Sequence, residues 1–548
     1  MYRAFRPLSK QVTVMERMNG KQLKEMLESG CNNLNNRKKE VDALNVFPVP
    51  DGDTGTNMSL TFSNGISEIL KSGSEELPVI AKTLSRGLLM GARGNSGVIT
   101  SQIFRGFYQA IKELSDLGAD DFCAAMKNGA KMAYKAVMRP VEGTILTVVR
   151  EATDAAEAYM KEHPSASIEE YMEVLCKEAQ KSLDHTPELL PVLKETGCVD
   201  SGGAGLVAIF NGFLSYLKGE PVKEAAEGTG SETAEKKTGY RTEYILKLTD
   251  QGTHLFKESK FRDKLNALGD HITVVVDGDV IKTRVSTLNP GDALNLGQRY
   301  GEFMRIQIEP ESDSMNESIL ESAAEAPAEE QEYGIITVCA GKGLEKLFKD
   351  YRADYVVSGG QTMNPSTEDF VQAISKVNAR HIFILPNNSN IIMAAKQAAD
   401  VTENKDIIVL ETKTIPQGLA ACIQFNPAET PEVNTANMKE GISEVKSGQV
   451  TYAIKNTTIE GREIHEGDYM GILNKDIVLT SREKTDATCR LINQMVDEDS
   501  EIVTIIQGQD ATDEETKAVS EYIENTYEVD VEVQKGEQPV YCFIIGVE

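Results

Sequence analysis

Two stretches with almost no large apolar side chain determine how this chain can fold. Residues 220–238 read Glu-Pro-Val-Lys-Glu-Ala-Ala-Glu-Gly-Thr-Gly-Ser-Glu-Thr-Ala-Glu-Lys-Lys-Thr, with Val222 the one large apolar residue, and residues 310–332 are rich in Glu, Ser and Ala. Segments of this composition bury too little apolar surface to offset the entropy of ordering, and they behave as linkers. One continuous core across all 548 residues is thereby excluded, and the length itself predicts about three or four domains. We expect an N-terminal domain over 1–218, a linker over 219–238, a middle domain over 239–309, an acidic linker over 310–332 and a C-terminal domain over 333–548 with a sub-boundary near 435.

The residue pattern changes across each linker. Between 19 and 218, apolar residues recur at helical spacing: Leu23, Met26, Leu27 and Leu34, then Ile103, Phe107 and Ile111 with Tyr108 alongside. Further helices are expected at about 123–137, 145–162, 167–183 and 204–217, and strand-like alternation is nearly missing. The middle domain reads as α+β, with strands at 244–248, 271–277, 280–286 and 303–308 and a helix at 256–268. From 333 onward, apolar runs at 334–338, 355–357, 381–385 and 407–410 alternate with helical stretches at 344–351, 368–377 and 391–401. This βαβα order implies a parallel sheet flanked by helices. Beyond 435 we expect a helix, an antiparallel hairpin region at 450–480, helices at 485–496 and 513–527, a strand at 502–506 and terminal strands.

The helical domain carries three glycine clusters. The first, Asn45-Val-Phe-Pro-Val-Pro-Asp51-Gly-Asp53-Thr-Gly-Thr-Asn57, places two carboxylates two residues apart on a turn stiffened by prolines. Both can aim oxygens at one hard cation such as Mg²⁺, and the 54–57 stretch adds hydroxyl, amide and backbone N–H groups suited to phosphates. Asp-Gly-Asp alone is more often a solvated turn. The second and third clusters, Gly91-Ala-Arg-Gly-Asn-Ser-Gly97 and Asp200-Ser-Gly-Gly-Ala-Gly205, tip the reading toward a metal–phosphate site, because an ordinary helix connection needs one glycine rather than a cluster. In the C-terminal domain, loops 357–366 and 385–390 lie at the carboxyl ends of strands, where open α/β sheets bind ligands. Their Ser, Asn and Gly residues fit helix capping equally well.

Other chemistries lack support. A net charge of −28 argues against a general nucleic-acid binder, which needs Lys and Arg surfaces. Neither a Walker A motif, nor the protein-kinase HRD and DFG set, nor a GxSxG elbow occurs. The six histidines are dispersed; His185, in His-Thr-Pro-Glu ahead of the third cluster, is read as structural. The eight cysteines form no CxxC pair and fit reduced, buried thiols of a cytoplasmic protein. No signal peptide or membrane-spanning run is apparent, so integral membrane association is not expected. Carboxylates and glycine clusters without a nucleophile or base suit phosphoryl transfer, which needs positioning and charge neutralisation more than covalent help.

These motifs together make residues 19–218 resemble the ATP-binding DhaL domain of dihydroxyacetone kinases. The variant from Asn45 to Asn57 resembles the ATP-binding subunit of bacterial fatty acid kinase, and the likeness extends through 91–102, 185–192, 200–206 and the two C-terminal loops. The resemblance implies an all-α eight-helix barrel at the N-terminus, a small α+β middle domain and an α/β C-terminal domain like the DegV fatty-acid-binding fold. It further implies Mg²⁺ and ATP as ligands, with Asp51 and Asp53 catalytic and metal-holding. On the same resemblance the best counterpart of the family's third metal ligand would be Asn45, with Asp42 a further candidate. Thr54, Gly55, Thr56, Asn57, Ser96 and Gly97 would contact phosphates, Gly143 would belong to a nucleotide lid, and Asp200, Ser201 and Gly202 would lie near adenine and ribose. The implied reaction phosphorylates a fatty acid held by a separate DegV-type fatty-acid-binding protein, giving an acyl phosphate for phospholipid synthesis, and a homodimer is expected.

One departure is clear. Relatives of this kind carry a middle-domain Cys and a His-Val-His pair where this chain has Arg241, Arg284 and Ser286. Arg and Ser are poor zinc ligands, so no zinc is expected there. A non-catalytic nucleotide- or partner-binding scaffold is therefore a rival reading, and one component of a dihydroxyacetone-type kinase a weaker one.

Overall fold

The computed structural model describes residues 16–45, 52–225, 240–249, 256, 261, 264, 265, 268, 270–277, 280–287, 289–310, 330–360, 363–453, 457–459, 462–474 and 476–548. Residues 1–225 and 329–548 form one compact unit, and residues 226–328 form another.

The N-terminal part is helical. Its elements are α1 (Gly20–Ala43), α2 (Thr54–Ser72), α3 (Leu77–Met90), α4 (Gly94–Ile111), α5 (Ala119–Ala136), α6 (Ile145–Glu162), α7 (Ile168–Leu189), the short α8 (Pro191–Thr196) and α9 (Ser201–Leu217). The two-residue strands β1 (Arg17–Met18) and β2 (Leu117–Gly118) pair at its edge. Capping boxes start α1, at Asn19 and Gln22, and α7, at Ser167 and Glu170; each satisfies two amides that the helix itself leaves unpaired. From α1 to α7 each long helix packs on the next, α7 packs on α9, and α9 packs back on α1, which closes a ring of eight long helices. Aromatic residues fill the ring. Phe62 and Phe104 meet edge to face with centroids 5.1 Å apart, and Phe107 and Phe122 do so at 5.2 Å. The backbones cross closely where glycines face each other: a Cβ on Gly212 would stand 2.6 Å from the Cα of Gly30.

Residues 226–328 hold the antiparallel sheet β4-β5-β3-β6, formed by β3 (Tyr240–Leu248), β4 (Asp270–Asp277), β5 (Val280–Thr287) and β6 (Gly301–Pro310). Thr242, Tyr244, Leu246 and Leu248 alternate into its buried face. The β3–β5 register sets Arg241 opposite Ser286 and Glu243 opposite Arg284, so the three departures from the family pattern fall at adjoining positions of one ladder. Part of the expected 256–268 helix lies outside the described residues; Phe261, Lys264 and Leu265 are helical. A helix at Pro290–Gln298 was not expected, because Asn-Pro-Gly-Asp reads as a turn. Proline occupies its first position, where the missing N–H has no intrahelical partner to lose.

The C-terminal part has two sheets. The first is wholly parallel, ordered β10-β9-β7-β8, from β7 (Gln331–Cys339), β8 (Tyr355–Ser358), β9 (Ala379–Leu385) and β10 (Asp406–Val409). Helices Lys342–Asp350, Thr367–Lys376 and Ile392–Val401 provide its crossovers, as the alternating pattern predicts. Helix Ile415–Gln424 was not expected, since its Pro and Gly read as breakers; Thr414 caps it by accepting from the Gln417 amide. The second sheet follows the order β15-β14-β11-β18-β16-β17, from β11 (Lys446–Tyr452), β14 (Tyr469–Leu473), β15 (Asp476–Ser481), β16 (Ile502–Gln507), β17 (Asp530–Lys535) and β18 (Phe543–Val547). The strands β12 (Thr457–Ile459) and β13 (Arg462–Ile464) pair with each other. Among the described residues no helix is long and apolar enough to cross a membrane.

The helical ring and the parallel sheet share a core. Ala92, just before α4, and Val98, within it, are buried in one cluster with Ile336, Phe370, Ile374 and Ile391. The Thr367 amide donates to the Ala92 carbonyl, and Arg93 forms a β-bridge with Ser366.

Candidate functional site

In the ring, the first turns of α2, α4, α6 and α9 open onto one cavity of about 260 Å³. Its lining includes Thr54 and Asn57 from α2, Gly94 to Ser96 from α4, Ile145 and Leu146 from α6, and Ser201 and Gly202 from α9. Each helix N-terminus presents unpaired N–H groups and roughly half a positive charge. Four of them around one space favour negative charge there without any need for lysine. Arg139 lines the cavity as well.

The glycine clusters are helix first turns rather than loops: Thr54–Asn57 begins α2, Gly94–Gly97 begins α4 and Ser201–Gly205 begins α9. Glycine costs about 1 kcal/mol relative to alanine in a helix, and close packing gives the reason for accepting that cost. A Cβ on Gly55 would lie 2.2 Å from the Lys38 carbonyl oxygen, one on Gly97 2.4 Å from Thr61 Oγ1, and one on Gly205 2.5 Å from Met58 Sδ.

The expected site residues divide accordingly. Asn45, Asp53, Thr54, Asn57, Ser96, Asp200, Ser201 and Gly202 line the cavity. Gly55 faces α1 and Gly97 faces α2. Thr56 turns to Asp42, which accepts from its amide at 2.9 Å and its hydroxyl at 2.8 Å. Gly143 has a positive φ of 81° and precedes Thr144, a lining residue; its amide donates to Thr147. Asp51 lies outside the described residues. His185 Nδ1 lies 3.4 Å from Glu188 Oε2 on the exposed side of α7 and does not line the cavity.

Among the lining residues the polar contacts converge. Thr54 Oγ1 donates to Asn45 Oδ1 at 2.7 Å, and the Ser201 hydroxyl lies 3.3 Å from Asn45 Oδ1 and 3.2 Å from Thr54 Oγ1. Of the two candidates for a third metal ligand, Asn45 faces the cavity while Asp42 is engaged with Thr56. Asp53 occupies the N-cap position of α2 but makes no capping bond; its Oδ2 accepts from Asn364 Nδ2 at 2.6 Å. Asp200 caps α9, accepting from the Gly203 amide at 2.7 Å. Burial raises the Asp200 pKa to about 6, against the opposing pull of the Gly203 and Ile145 amides. No group of three or more His, Cys, Asp or Glu gathers in a metal-holding arrangement among the described residues. The oxygens that do meet are those of Asn45, Thr54 and Ser201, and Asp53 lines the same cavity; an all-oxygen set of this kind matches a hard cation better than a zinc site.

Sequence reasoning missed Val137, Arg139, Val141 and Met393, all of which line the cavity. Arg139 had a usable signal: it is a cation between the end of α5 and the Gly143 turn. Asn390 sits in a C-terminal loop for which capping and ligand binding had equal weight. Asn388 Oδ1 accepts from the Asn390 amide, and Asn390 also reaches the cavity, so the loop combines a local turn with a wall of the site.

Comparison with known proteins gives a consistent assignment. A family model for the C-terminal region of FakA-like fatty acid kinase proteins matches residues 334–548, one for the middle domain of the same proteins matches 237–318, and one described as "DAK2 domain" matches 48–215. Protein YloV of Bacillus subtilis is 45% identical over 97% of this chain and 99% of its own length. An uncharacterized protein of Staphylococcus epidermidis is 40% identical over 98% of this chain and 100% of its own. Among solved structures, a DegV family protein from Thermus thermophilus, whose title describes fatty acid binding, aligns with 40% of this chain and 100% of its own at 11% identity and a TM-score of 0.30. The dihydroxyacetone kinase of C. freundii aligns with 39% of this chain and 38% of its own at 16% identity and a TM-score of 0.29.

Proposed function

The chain belongs to the FakA-like fatty acid kinase family, and from that premise we propose that it transfers the γ-phosphate of ATP to the carboxylate of a fatty acid presented by a separate DegV-type fatty-acid-binding protein. The observation that carries this reading is the convergence of four helix N-termini, with Asp53, Asn45, Thr54 and Ser201, on one cavity. On this reading the first turns of α2 and α4 bind the phosphates through backbone amides, and the Ser96 and Asn57 side chains orient them. Asp53 and Asn45, with Asp51 beside them in sequence, hold Mg²⁺, which supplies charge neutralisation along the phosphates. Asp200 and Ser201 hold the start of α9 at the far side of the nucleotide.

The acceptor is a carboxylate, whose ordinary pKa leaves it anionic near neutral pH. Its oxygen forms the new bond to phosphorus as the β–γ bridging bond breaks and ADP departs, so no general base is required. This agrees with a cavity whose lining contains no histidine among the described residues.

The rival reading, a nucleotide- or partner-binding scaffold, draws on Arg241, Arg284 and Ser286, which replace the family's Cys and His positions on adjoining positions of the β3–β5 ladder. One experiment separates the two. The full chain is incubated with Mg-ATP, oleate and a DegV-type protein, and acyl phosphate is trapped as hydroxamate. Partner-dependent product that disappears in Asp53→Ala supports the kinase. Nucleotide binding without product across several partners supports the scaffold.

A further inference from the structure

Helix α2 begins at the cavity, yet the group that holds its N-cap carboxylate comes from more than three hundred residues away. Asn364 lies after β8 in the C-terminal domain. Its side-chain amide donates to Asp53 Oδ2 at 2.6 Å, and the residue is only 3% exposed. Its backbone is fixed from the helical side, because Arg93 Nη1 donates to the Asn364 carbonyl at 2.8 Å and pairs with Asp369 at 3.7 Å. The docking continues at Gln397, which donates to the Leu89 carbonyl at 2.7 Å and accepts from Gln102 at 2.9 Å. Asn364 Oδ1 is buried and accepts no hydrogen bond among the described residues.

We propose that Asn364 is a positioning residue of the metal–phosphate site, so that the C-terminal domain completes that site by docking on the helical ring. A carboxylate has room for about four hydrogen bonds or metal bonds, so an amide donor on Oδ2 is compatible with a divalent cation on the same group. An amide fixes the carboxylate without adding positive charge; a lysine in its place would repel the cation. Carboxylates that ligate metals are themselves held by hydrogen bonds, and loss of such a partner typically weakens metal affinity about 10–100-fold. Asn364 Oδ1, without a hydrogen-bond partner among the described residues, is a further acceptor on the side chain that holds Asp53 and would suit water carried by a cation there.

This inference rests on the nucleotide-site reading above, and titration calorimetry on the full chain tests the two separately. ADP is titrated with Mg²⁺ present and with Mg²⁺ chelated. Asn364→Ala is expected to weaken Mg-ADP binding about tenfold or more while leaving metal-free ADP binding unchanged. Arg93→Ala, which releases the Asn364 backbone, should show the same selective loss if Asn364→Ala proves poorly folded. Unchanged Mg-ADP affinity in both variants, with Asp53→Ala still losing it, overturns the role of Asn364 and leaves the nucleotide site standing. Tighter Mg-ADP binding in Asn364→Ala also overturns it, because the contact would then be a plug on the site. A wild-type chain whose ADP binding ignores Mg²⁺ refutes the underlying reading and this inference together.

Discussion

Replacing Asp200 with Asn should remove a definite pH dependence from the stability of the chain. Burial raises the folded-state pKa of Asp200 from 3.8 to about 6, so the folded chain binds this proton more tightly than the unfolded chain does. The stabilising effect of protonation is complete below about pH 4 and is lost as pH rises through about 6. Integrating the proton linkage, ionised Asp200 costs the fold about 1.6 kcal/mol at about pH 5 and about 3 kcal/mol at about pH 7.5, a difference of about 1.4 kcal/mol. At about 2.1 cal/mol/K of unfolding entropy per residue, a compact unit made of residues 1–225 and 329–548 shifts by about 1 °C in Tm per kcal/mol, so the effect amounts to about 1–2 °C. Asn keeps the cap, since its side-chain oxygen also accepts from a helix amide. Thermal unfolding followed by circular dichroism, without nucleotide, should therefore show Asp200→Asn gaining about 1–2 °C on the wild type between about pH 5 and pH 7.5. Parallel Tm curves for the two proteins would refute the reasoning and mean that Asp200 titrates near its ordinary value in the folded state.

Three further outcomes follow from the packing. Phe104→Ala removes a ring that touches Phe62, Phe107 and Phe213 and should cost about 3–5 kcal/mol, read as a lower denaturant midpoint for the helical part. Gly212→Ala places a methyl 2.6 Å from the Gly30 Cα, forcing α1 and α9 apart at a cost of about 1–3 kcal/mol; an unchanged Tm would show that the crossing relaxes freely. All eight cysteines are free, and six of them are buried. Burial raises the Cys339 and Cys422 thiols to about 12. Ellman's reagent should therefore titrate no more than Cys198 and Cys489 quickly in the native chain and the full set after denaturation.

The helical ring was legible because long amphipathic helices announce themselves by period, and the parallel sheet because its strands are apolar runs separated by helical patterns. The helices at 290–298 and 415–424 were not, because Pro290 and Pro416 read as breakers while the tertiary context uses them at helix starts. At the cavity, the stretches singled out in the sequence do come together, but in another form than expected. Gly55, Gly97 and Gly205 suggested loops cradling phosphate, whereas the fold uses them to bring helices together so that their ends can meet. Thr56 shows the related error: its hydroxyl suits a phosphate, but Asp42 holds it on the other side of the turn.

The part of the site that sequence could not show follows from how such a ring is built. In a closed ring whose successive helices reverse direction, every second helix starts at the same end. One mouth therefore gathers N–H groups and positive potential from α2, α4, α6 and α9 whatever the side chains are. Such a mouth favours anions through its backbone, which leaves the side chains free for other roles: on the proposed reading, metal donors at Asn45 and Asp53, or closure. Closure here comes from loops of another sheet. Their contribution depends on Ala92 and Val98 entering the core of that sheet, and on Asn364 and Asn390 standing beyond the ends of β8 and β9. No local pattern near Asp53 encodes this. The three-dimensional packing alone makes a residue at position 364 a neighbour of one at position 53, which is why substitutions at the docking surface are the sharpest probe of whether the two domains act as one site.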